Sequence, residues 1–406
     1  MRPVDRYEAF LLDLDGVLYR GDQPIPGAVE TVRAIRDAGR RPVFVTNNSW
    51  RTPAQVADKL EDMGIAATAE EVVTSAQATA ALLAREGGSE GATAYVLGGE
   101  GVRAALQEMG IETADGEPER VGFVVVGWDR ELTYDRLRTA TVLVGRGARL
   151  VATNADPSYP APGGELWPGA GAILAAVEAG SGHRATVVGK PHRPLFDLAT
   201  DRAGTRNALV VGDRIETDIA GAGASNLDSV LVLTGASTAA GLLDADPVPT
   251  AIADDLRGLV ADRPWAAPRP GEAADLEAVW ALAGRPADDP GWGPEGVWVI
   301  DHDGVLATAA TEVRGGEAYL RAVATREDLR GIQLGTQVVA AAVRDAARRG
   351  AARVWLLTEA AEGFFARLGF DRCARPDLPS WIVDGPGERC PVSAVPMRRD
   401  LAQNGS

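Results

Sequence analysis

The chain has 406 residues, of which 46% are hydrophobic and 24% are charged, and its formal net charge is -16. This length exceeds that of one ordinary domain, so we expect two or three compact units. The negative charge argues against a nucleic-acid partner, because surfaces that bind nucleic acids are usually basic. It does not argue against an anionic substrate, since a metal ion and one lysine can reverse the sign of the charge locally.

The sequence contains two cysteines, Cys373 and Cys390, and three histidines. Two cysteines near the C-terminus give no disulfide framework and are typical of a reducing compartment. The histidines are too scattered for a zinc site. Because the N-terminus has no apolar signal region and no apolar run reaches membrane-spanning length, we expect a cytoplasmic protein without a membrane span.

The first predicted strand is the apolar run at 10–12, which is followed by two carboxylates, Asp13 and Asp15, and by Gly16. Side chains two residues apart in a strand point to the same side, so both carboxylates can face one site. Two like charges this close need a cation, and hard oxygen ligands suit Mg²⁺. The alternative is a hairpin turn, because Asp-Gly is common at the ends of hairpins.

Strands and helices then alternate along the chain. A helix with apolar residues at 29, 32 and 35 precedes a buried strand at 42–45, and Thr52-Pro53 predicts another helix start. From about residue 87 the alternation restarts, with strands at 94–97, 122–126 and 150–153 and helices at 100–109 and 134–144. The apolar runs at 186–188 and 208–211 are expected to resume the first sheet, followed by 230–233. This order predicts parallel sheets with right-handed crossovers.

The pattern changes after residues 262–271, which contain three prolines without periodicity and predict a linker. A helix at 275–283 is followed by antiparallel strands at 297–300, 305–311 and 319–325, a long helix at 333–349, a strand at 354–357 and a helix at 360–368. Asp303-Gly304 copies the opening motif, but it joins two alternating strands and is predicted to be a hairpin turn.

Polar residues follow four of the predicted strands in the first part of the chain. Besides the opening aspartates, they are Thr46, Asn47 and Asn48, suited to phosphate oxygens, Lys190 as a cation, and Asp213 with Asp218 for a metal and its bound water. Each group alone is also typical of a helix cap, a surface charge or a turn. Their joint occurrence at strand ends, in this order, predicts one site that handles phosphate.

The four motifs resemble those of the haloacid-dehalogenase superfamily of phosphatases over residues 1 to about 262. The inserted α/β unit is similar to the class II cap of the nitrophenylphosphatase-like branch. The resemblance implies that Asp13 is the nucleophile that becomes an aspartyl-phosphate, and that Asp15 is the general acid and then the general base. It implies that Mg²⁺ is held by Asp13, the main-chain carbonyl of Asp15, and Asp213, with Asp218 orienting a ligand water. It also implies that Thr46, Asn47 and Lys190 hold the transferring phosphoryl oxygens.

The predicted cap is expected to set specificity. Its candidate contacts are Asp129, after the strand at 122–126, and Asn154 and Asp156, after the strand at 150–153. For each of them a plain strand-end turn stays open as the alternative. A cap that covers the site also has to move for product release.

Residues from about 268 to 401 resemble the GNAT acetyltransferases, on the stretches 324–335, 356–359, 364–370 and 390–397. In that family a glycine loop and the following helix bind the pyrophosphate of acetyl-CoA through backbone N–H groups, which here assigns Arg330, Gly331 and Gly335. Gln333 stands where a loop glycine is expected, and Phe365 stands where a tyrosine often serves as general acid. Acetyl transfer, cofactor binding and a purely structural role therefore all stay open.

The predicted fold is α/β, with a Rossmann-like parallel-sheet phosphatase core and an inserted α/β cap, followed by an α+β GNAT-like domain. The expected boundaries are 1–80 and 184–262 for the core, 81–183 for the cap, 263–271 for the linker and 272–401 for the last domain. This architecture resembles the actinobacterial glycerol-3-phosphate phosphatases.

We therefore expect a Mg²⁺-dependent phosphomonoesterase acting on a small phosphorylated metabolite, with glycerol 3-phosphate first. Phosphoglycolate or another small phosphate ester comes next. The alternatives are a bifunctional protein whose GNAT-like domain acetylates an amino acid or amine, and an acyltransferase that the phosphatase half regulates.

Overall fold

The structure is a computed structural model that describes residues 2–86, 92–160, 165–284, 293–383 and 393–401. Cys390 and residues 391–392 of the tail motif at 390–397 lie outside these ranges. Of the helices within them, none has the length and apolar composition needed to cross a bilayer. The chain divides into two compact units, one formed by Pro3–Ser229 with Asp255–Val260 and the other containing Val230–Asp254 and the chain from Ala261 onward.

The strands that precede residue 262 are short and mostly buried. They are β1 (Ala9–Leu12), β2 (Tyr19–Arg20), β3 (Gln23–Pro24), β4 (Arg41–Thr46), β5 (Val72–Thr74), β6 (Thr93–Leu97), β7 (Glu112–Ala114), β8 (Phe123–Val126), β9 (Arg149–Ala152), β10 (Ser158–Pro160), β11 (Leu166–Pro168), β12 (Thr186–Val187), β13 (Ala208–Gly212), β14 (Asp228–Val232) and β15 (Ala251–Ala253).

The α-helices of the same part lie between these strands. They are α1 (Pro3–Arg6), α2 (Ala28–Asp37), α3 (Pro53–Asp62), α4 (Ser75–Arg85), α5 (Glu100–Glu108), α6 (Tyr134–Gly145), α7 (Ala170–Ser181), α8 (Arg193–Ala203) and α9 (Ala220–Ala224). The predicted helix start at Thr52-Pro53 is confirmed, because Thr52 caps α3 in a capping box with Gln55.

Two parallel sheets organise this part of the chain. The main sheet has the order β15-β14-β13-β1-β4-β5, and the second sheet has the order β12-β9-β8-β6-β7. Every residue of β1 is buried, and β1 lies between β13 and β4 with Leu12 opposite both Val211 and Phe44. Continuous apolar runs without alternation are what a sheet covered on both faces requires. The predicted α/β fold class is confirmed.

One strand lies in a different sheet from the predicted one. The run at 186–188 was expected in the main sheet, but β12 pairs with β9 in the second sheet, with Val187 opposite Ala152. That prediction is wrong. A strand this short has too little sequence pattern to specify its partner strand. Its pairing therefore depends on where the chain lies after the preceding helix α7.

The C-terminal part forms a mixed sheet with the order β16-β17-β18-β19-β20-β22-β21. Its strands are β16 (Arg269–Pro270), β17 (Val297–Asp301), β18 (Val305–Arg314), β19 (Glu317–Thr325), β20 (Arg353–Thr358), β21 (Asp371–Arg372) and β22 (Val395–Asp400). Its helices are α10 (Leu276–Leu282), α11 (Leu334–Arg348), α12 (Glu362–Arg367) and α13 (Ser380–Val383). Strands β19 and β20 are parallel, whereas β17, β18 and β19 are antiparallel neighbours.

The second Asp-Gly motif is a hairpin turn, as predicted. Asp303 and Gly304 have φ of 56° and 119° and connect the antiparallel strands β17 and β18. The predicted linker is not wholly irregular, because β16 lies within it and pairs with β17. Pro270 has no N–H to donate, and the end position of β16 in the sheet order tolerates this.

Helix α11 is anchored to the segment around β15 by polar contacts within the second unit. The buried side chain of Gln337 donates to the carbonyl of Thr250 at 2.7 Å. Arg344 forms an ion pair with Asp246 at 3.3 Å. Arg399 of β22 pairs with Asp244 and donates to the carbonyl of Ala240 at 3.2 Å. Residues 240–254 are therefore tied to the C-terminal domain by hydrogen bonds as well as by packing.

Replacing Gln337 should destabilise this unit. We expect Gln337→Met, which keeps the volume but removes the amide donor, to lower the free energy of unfolding by about 1–3 kcal/mol, because a buried carbonyl loses its donor. Urea unfolding followed by tryptophan fluorescence measures the change. Gln107→Met on the exposed end of α5 is the matched control and should stay within about 0.5 kcal/mol of the wild type. Equal stability of the two variants would contradict the anchoring role.

Candidate active site

The predicted carboxylates meet at the carboxyl ends of neighbouring strands of the main sheet. Asp13 follows β1, and its N–H donates to the carbonyl of Val211 at 2.9 Å, which continues the pairing with β13. Asp213 follows β13 directly, and Thr46 is the last residue of β4. Since parallel strands end at one edge, the apolar runs bring these polar residues together.

Asp218 reaches the same place from a π-helix at Ile215–Ile219. A Cβ at Gly212 would lie 2.1 Å from the Cβ of Asp218, so only glycine allows this approach. Oxygen atoms of Asp13, Asp213 and Asp218 all lie within 4.8 Å of one another. Three carboxylates in this arrangement supply the hard oxygen ligands that Mg²⁺ prefers.

Lys190 lies between two of these carboxylates and is 4% exposed. Its ammonium pairs with Asp13, and it also pairs with Asp218 at 2.7 Å and donates to the carbonyl of Val45 at 3.3 Å. Burial alone would lower the pKa of Lys190, but the two carboxylates outweigh it and raise the pKa above its ordinary value. Lys190 is therefore charged at neutral pH.

The charges in the cluster do not balance. Burial raises the pKa of Asp13 well above its usual range, Lys190 opposes this, and repulsion from Asp218 and Asp213 adds to it. One ammonium cannot neutralise three carboxylates, so a divalent cation fits both the donor set and the missing positive charge.

Asp15 faces the same cavity from the turn that follows β1. Gly16 has φ of 83°, and its N–H donates to the carbonyl of Tyr19 at 2.8 Å, which closes the turn. Burial raises the pKa of Asp15, while Lys59, Arg214 and Lys190 partly oppose the shift. Asp15 therefore holds a proton more readily than an exposed aspartate does.

The predicted phosphate loop is internally hydrogen bonded. Thr46 Oγ1 accepts from the N–H of Asn48 at 3.0 Å, and Asn48 Oδ1 accepts from the N–H of Trp50 at 2.9 Å. Thr46, Asn47 and Asn48 all line the cavity next to Asp13 and Lys190.

The side-chain amide of Asn47 differs from its predicted use. It donates to a carboxylate oxygen of Asp156 at 3.1 Å and to the carbonyl of Lys190 at 3.1 Å, and its Oδ1 accepts from the N–H of Lys190 at 2.8 Å. An amide has two hydrogens, and protein acceptors take both. The sequence suggests that this amide binds phosphate oxygens, but in the structure it binds protein groups.

The candidate cap residues separate into two kinds. Asn154 and Asp156 line the cavity, whereas Asp129 is not among its lining residues within the described ranges. Asp129 is buried and pairs with Arg136 at 2.7 Å and accepts from the N–H of Glu131 at 2.9 Å. The geometry of Asp129 is therefore that of the alternative interpretation, a plain turn at the end of a strand.

Two aromatic residues of the cavity have no counterpart among the predicted site residues. Trp128 stacks on Tyr159 with a centroid distance of 4.2 Å and an interplanar angle of 26°, and Trp50 meets Trp128 edge-on at 6.0 Å. Tyr159 belongs to the short hairpin β10-β11, which has no periodic signal in the sequence. Trp128 directly precedes the predicted cap residue Asp129. Its aromatic side chain is the sequence feature that could have indicated a site residue at this position.

The cavity is small, with a volume of about 90 Å³. Its lining combines carboxylates, amides and the aromatic pair: Asp13, Asp15, Thr46, Asn47, Asn48, Ser49, Trp128, Asn154, Asp156, Ser158, Tyr159, Gly169, Ala170, Lys190, Arg214 and Thr217.

A separate and larger cavity of about 1100 Å³ lies in the second unit and includes the predicted acetyl-CoA loop, Arg330, Gly331 and Gly335. Gln333 precedes α11 with φ of 67°, a left-handed conformation that favours glycine. Its side chain donates to Asp254 at 2.5 Å and accepts from the hydroxyl of Thr336 at 2.8 Å. A carboxylate thus stands beside the loop that binds an anionic pyrophosphate in the GNAT family.

Phe365 is buried in the second unit and lines this larger cavity. It is 5% exposed and packs edge-on against Phe364 and Phe370 at 5.0 Å and 5.8 Å. A phenyl ring in this position has no proton to donate, so it cannot act as a general acid.

Comparison with known proteins agrees with the geometry of both units. The profile of the haloacid dehalogenase-like hydrolases matches residues 10–112, and a related HAD-hydrolase-like profile matches residues 187–259. The D-glycerol 3-phosphate phosphatase of Mycobacterium tuberculosis is 37% identical over 324 residues, which cover 78% of this chain and 90% of that relative. The chain belongs to the haloacid dehalogenase-like hydrolase family. The predicted superfamily is confirmed.

Other relatives of this hydrolase match its first part or most of its length. The acid sugar phosphatase of Staphylococcus saprophyticus is 40% identical over 262 residues, which cover 63% of this chain and 98% of that relative. The crystal structure of glycerol phosphate phosphatase from Mycobacterium tuberculosis in complex with magnesium has a TM-score of 0.72 at 32% identity, covering 91% of this chain and 98% of that one. The acetyltransferase (GNAT) family profile matches residues 265–370, which confirms the predicted resemblance of the C-terminal domain.

Mg²⁺ binding should depend on the carboxylate cluster of this hydrolase. We expect Asp213→Asn to weaken Mg²⁺ binding by about tenfold or more, since it removes one negative ligand from the site. Titration calorimetry of the metal-free protein in the absence of substrate measures the affinity. Asp129→Asn is the matched control, because that buried carboxylate lies outside the cluster. Unchanged affinity in Asp213→Asn would show that the ion binds elsewhere.

Proposed function

We propose that this protein is a Mg²⁺-dependent phosphomonoesterase that hydrolyses a small phosphorylated metabolite through an aspartyl-phosphate, with glycerol 3-phosphate as the first candidate substrate. The observation that best supports this function is the cluster of Asp13, Lys190, Asp213 and Asp218 beside a small cavity. Membership of the haloacid dehalogenase-like hydrolases supports the same chemistry.

The reaction proceeds in two displacements at phosphorus. In the first, a carboxylate oxygen of Asp13 bonds to phosphorus, the bond to the leaving oxygen breaks, and Asp15 gives its proton to the leaving alkoxide. In the second, Asp15 takes a proton from water, whose oxygen attacks the aspartyl-phosphate and releases inorganic phosphate and the Asp13 carboxylate. The raised pKa of Asp15, which follows from its burial, suits a residue that begins the cycle protonated.

Charge neutralisation is the larger requirement, because phosphoryl transfer needs positioning and electrostatic stabilisation more than bond chemistry. Lys190 supplies one positive charge next to Asp13. When bound, Mg²⁺ supplies further positive charge that offsets the repulsion between Asp13 and the phosphate dianion. Asp13, the main-chain carbonyl of Asp15, and Asp213 would hold the ion, with Asp218 orienting a water on it. Thr46 and the backbone of the following loop are the proposed contacts of the phosphoryl oxygens.

Three observations support a small substrate. The cavity volume of about 90 Å³ is small beside the volume of about 1100 Å³ of the cavity in the second unit. Trp128 and Tyr159, which stack on each other, line the smaller cavity on the side of the second sheet. A D-glycerol 3-phosphate phosphatase matches 78% of this chain, whereas an acid sugar phosphatase matches 63% of it. A sugar phosphate, phosphoglycolate or another small phosphate ester is the alternative substrate.

The C-terminal domain is proposed to stabilise the phosphatase and not to transfer acetyl groups. Gln333, Asp254 and Phe365 support this assignment, because they replace one glycine of the loop, add a carboxylate beside it and put a phenyl ring where a tyrosine often serves as general acid. The polar contacts of α11 and β22 with residues 240–254 support a structural role. The alternative of a bifunctional enzyme predicts steady acetyl transfer to an amino acid or amine.

The nucleophile assignment predicts that Asp13→Asn lowers phosphate release from glycerol 3-phosphate by about four orders of magnitude or more, because an amide oxygen cannot form the acyl phosphate. Circular dichroism should show an unchanged fold. Asp62→Asn, on the exposed end of α3, is the control and should keep wild-type turnover. Near wild-type activity of Asp13→Asn would overturn the mechanism.

Replacing Gln333 in the predicted acetyl-CoA loop should strengthen the binding of acetyl-CoA. Gln333→Gly removes the side chain held by Asp254 and places glycine where φ is 67°, so we expect acetyl-CoA affinity to rise by about tenfold or more. Gln333→Ala removes the same side chain but keeps the backbone strain, so its affinity should rise less. Calorimetry measures the binding of acetyl-CoA.

Thiol release from acetyl-CoA with a panel of amines should stay at background in the wild type. Steady acetyl transfer by the wild type would contradict a structural role.

A further inference from the structure

Asn47 is the most thoroughly bonded residue of the phosphate loop. Its amide binds Asp156 and both backbone polar groups of Lys190. Its own carbonyl accepts from Asn154 Nδ2 at 2.8 Å and from the hydroxyl of Ser75 at 2.7 Å. A residue fixed on all these sides has one orientation available, and neither amide hydrogen is left for a substrate.

Asp156 helps to fix which way that amide faces, together with the backbone of Lys190. The carboxylate of Asp156 can only accept from the amide NH₂, so it distinguishes nitrogen from oxygen at Asn47. Asp156 is itself held, because its N–H donates to Asn154 Oδ1 at 3.1 Å. Turned by 180°, the amide would bring oxygen against the carboxylate and against the carbonyl of Lys190, which is two repulsive contacts in place of two hydrogen bonds.

The oriented amide in turn clamps Lys190. It binds the N–H of Lys190 at 2.8 Å and the carbonyl of the same residue at 3.1 Å. A Cβ at Gly189 would lie 2.5 Å from Asn47 Oδ1 and 2.4 Å from the carbonyl of Thr153, so the two loops are in direct contact. The backbone position of Lys190 fixes where its ammonium meets Asp13.

We infer that Asp156 is a positioning residue, which acts through Asn47 on Lys190 and does not select the leaving group. The inference rests on the proposed phosphatase function. It states that Asp156 affects the rate of that reaction although it is not one of the reacting groups. A leaving-group contact would affect one substrate, whereas a positioning residue affects the step that all phosphate esters share.

The test compares two substrates whose leaving groups differ. Steady-state kinetics are measured with glycerol 3-phosphate and with p-nitrophenyl phosphate, whose leaving group has no hydroxyl besides the one released. We expect Asp156→Ala to lower kcat by about 10- to 100-fold for both substrates alike, because the ammonium moves from its place beside the nucleophile. Asp156→Asn keeps an oxygen that can accept from Asn47, so it should recover most of the lost kcat.

A double-mutant cycle checks the route of the effect. If Asp156 acts through Asn47, then Asn47→Ala with Asp156→Ala should be no slower than Asn47→Ala alone, because the coupled residues are not additive. Asp135→Ala, an exposed carboxylate of α6, is the matched control and should leave both kcat values unchanged. Melting curves of all variants identify any loss of folding. If Asp156→Ala unfolds, Asp156→Leu, which keeps a side chain of similar shape but removes the acceptor of Asn47, replaces it with the same expected loss for both substrates.

The outcomes separate the inference from the function it rests on. A loss confined to glycerol 3-phosphate, or additive losses in the cycle, would overturn the positioning role while the phosphatase assignment stands. Absence of phosphate release by the wild type from both esters would overturn the proposed function and the positioning role with it.

Discussion

The buried ion pairs of Lys190 are the interaction on which the active site depends. A lysine that is 4% exposed is costly to fold unless anions surround it, and Asp13 and Asp218 are those anions. The same pairing holds two of the three carboxylates of the cluster at fixed positions, which a set of like charges could not maintain alone. Because one ammonium does not balance three carboxylates, the cluster keeps the attraction for a divalent cation that its oxygen atoms are suited to hold.

The geometry of that pair requires two sheets to cooperate. The carboxylates come from the ends of β1 and β13 in the main sheet and from the π-helix that follows, whereas Lys190 follows β12 of the second sheet. The loops meet so closely that glycine is needed at 189 and at 212, where a Cβ would lie within 2.5 Å of neighbouring atoms. Asn47 follows β4 of the main sheet, and its amide joins the two sides because it binds Asp156 and Lys190, which follow strands of the second sheet. The cavity lies beside this junction.

The C-terminal domain keeps the fold of the GNAT family, but residues at two positions that usually carry the family's chemistry differ. The mixed sheet and the long helix α11 are retained, and so is a cavity of about 1100 Å³. The residues at the functional positions differ: Gln333 is held by Asp254, and Phe365 packs in the core. The polar side chains of α11 that would otherwise be costly to bury, Gln337 and Arg344, instead bind residues 250 and 246.

The sequence by itself determined the α/β class, the alternation of strands and helices along the chain, the hairpin at Asp303-Gly304 and the gathering of the aspartates and Lys190. These follow from short-range rules, because buried parallel strands require apolar runs and their polar successors must lie at one edge. Tertiary structure alone decided the sheet of β12, the partners of the Asn47 amide, the exclusion of Asp129 from the cavity lining, and the stacking of Trp128 on Tyr159. A two-residue strand or a single amide has no periodicity. Its partner depends on which atoms the completed fold brings within hydrogen-bond distance.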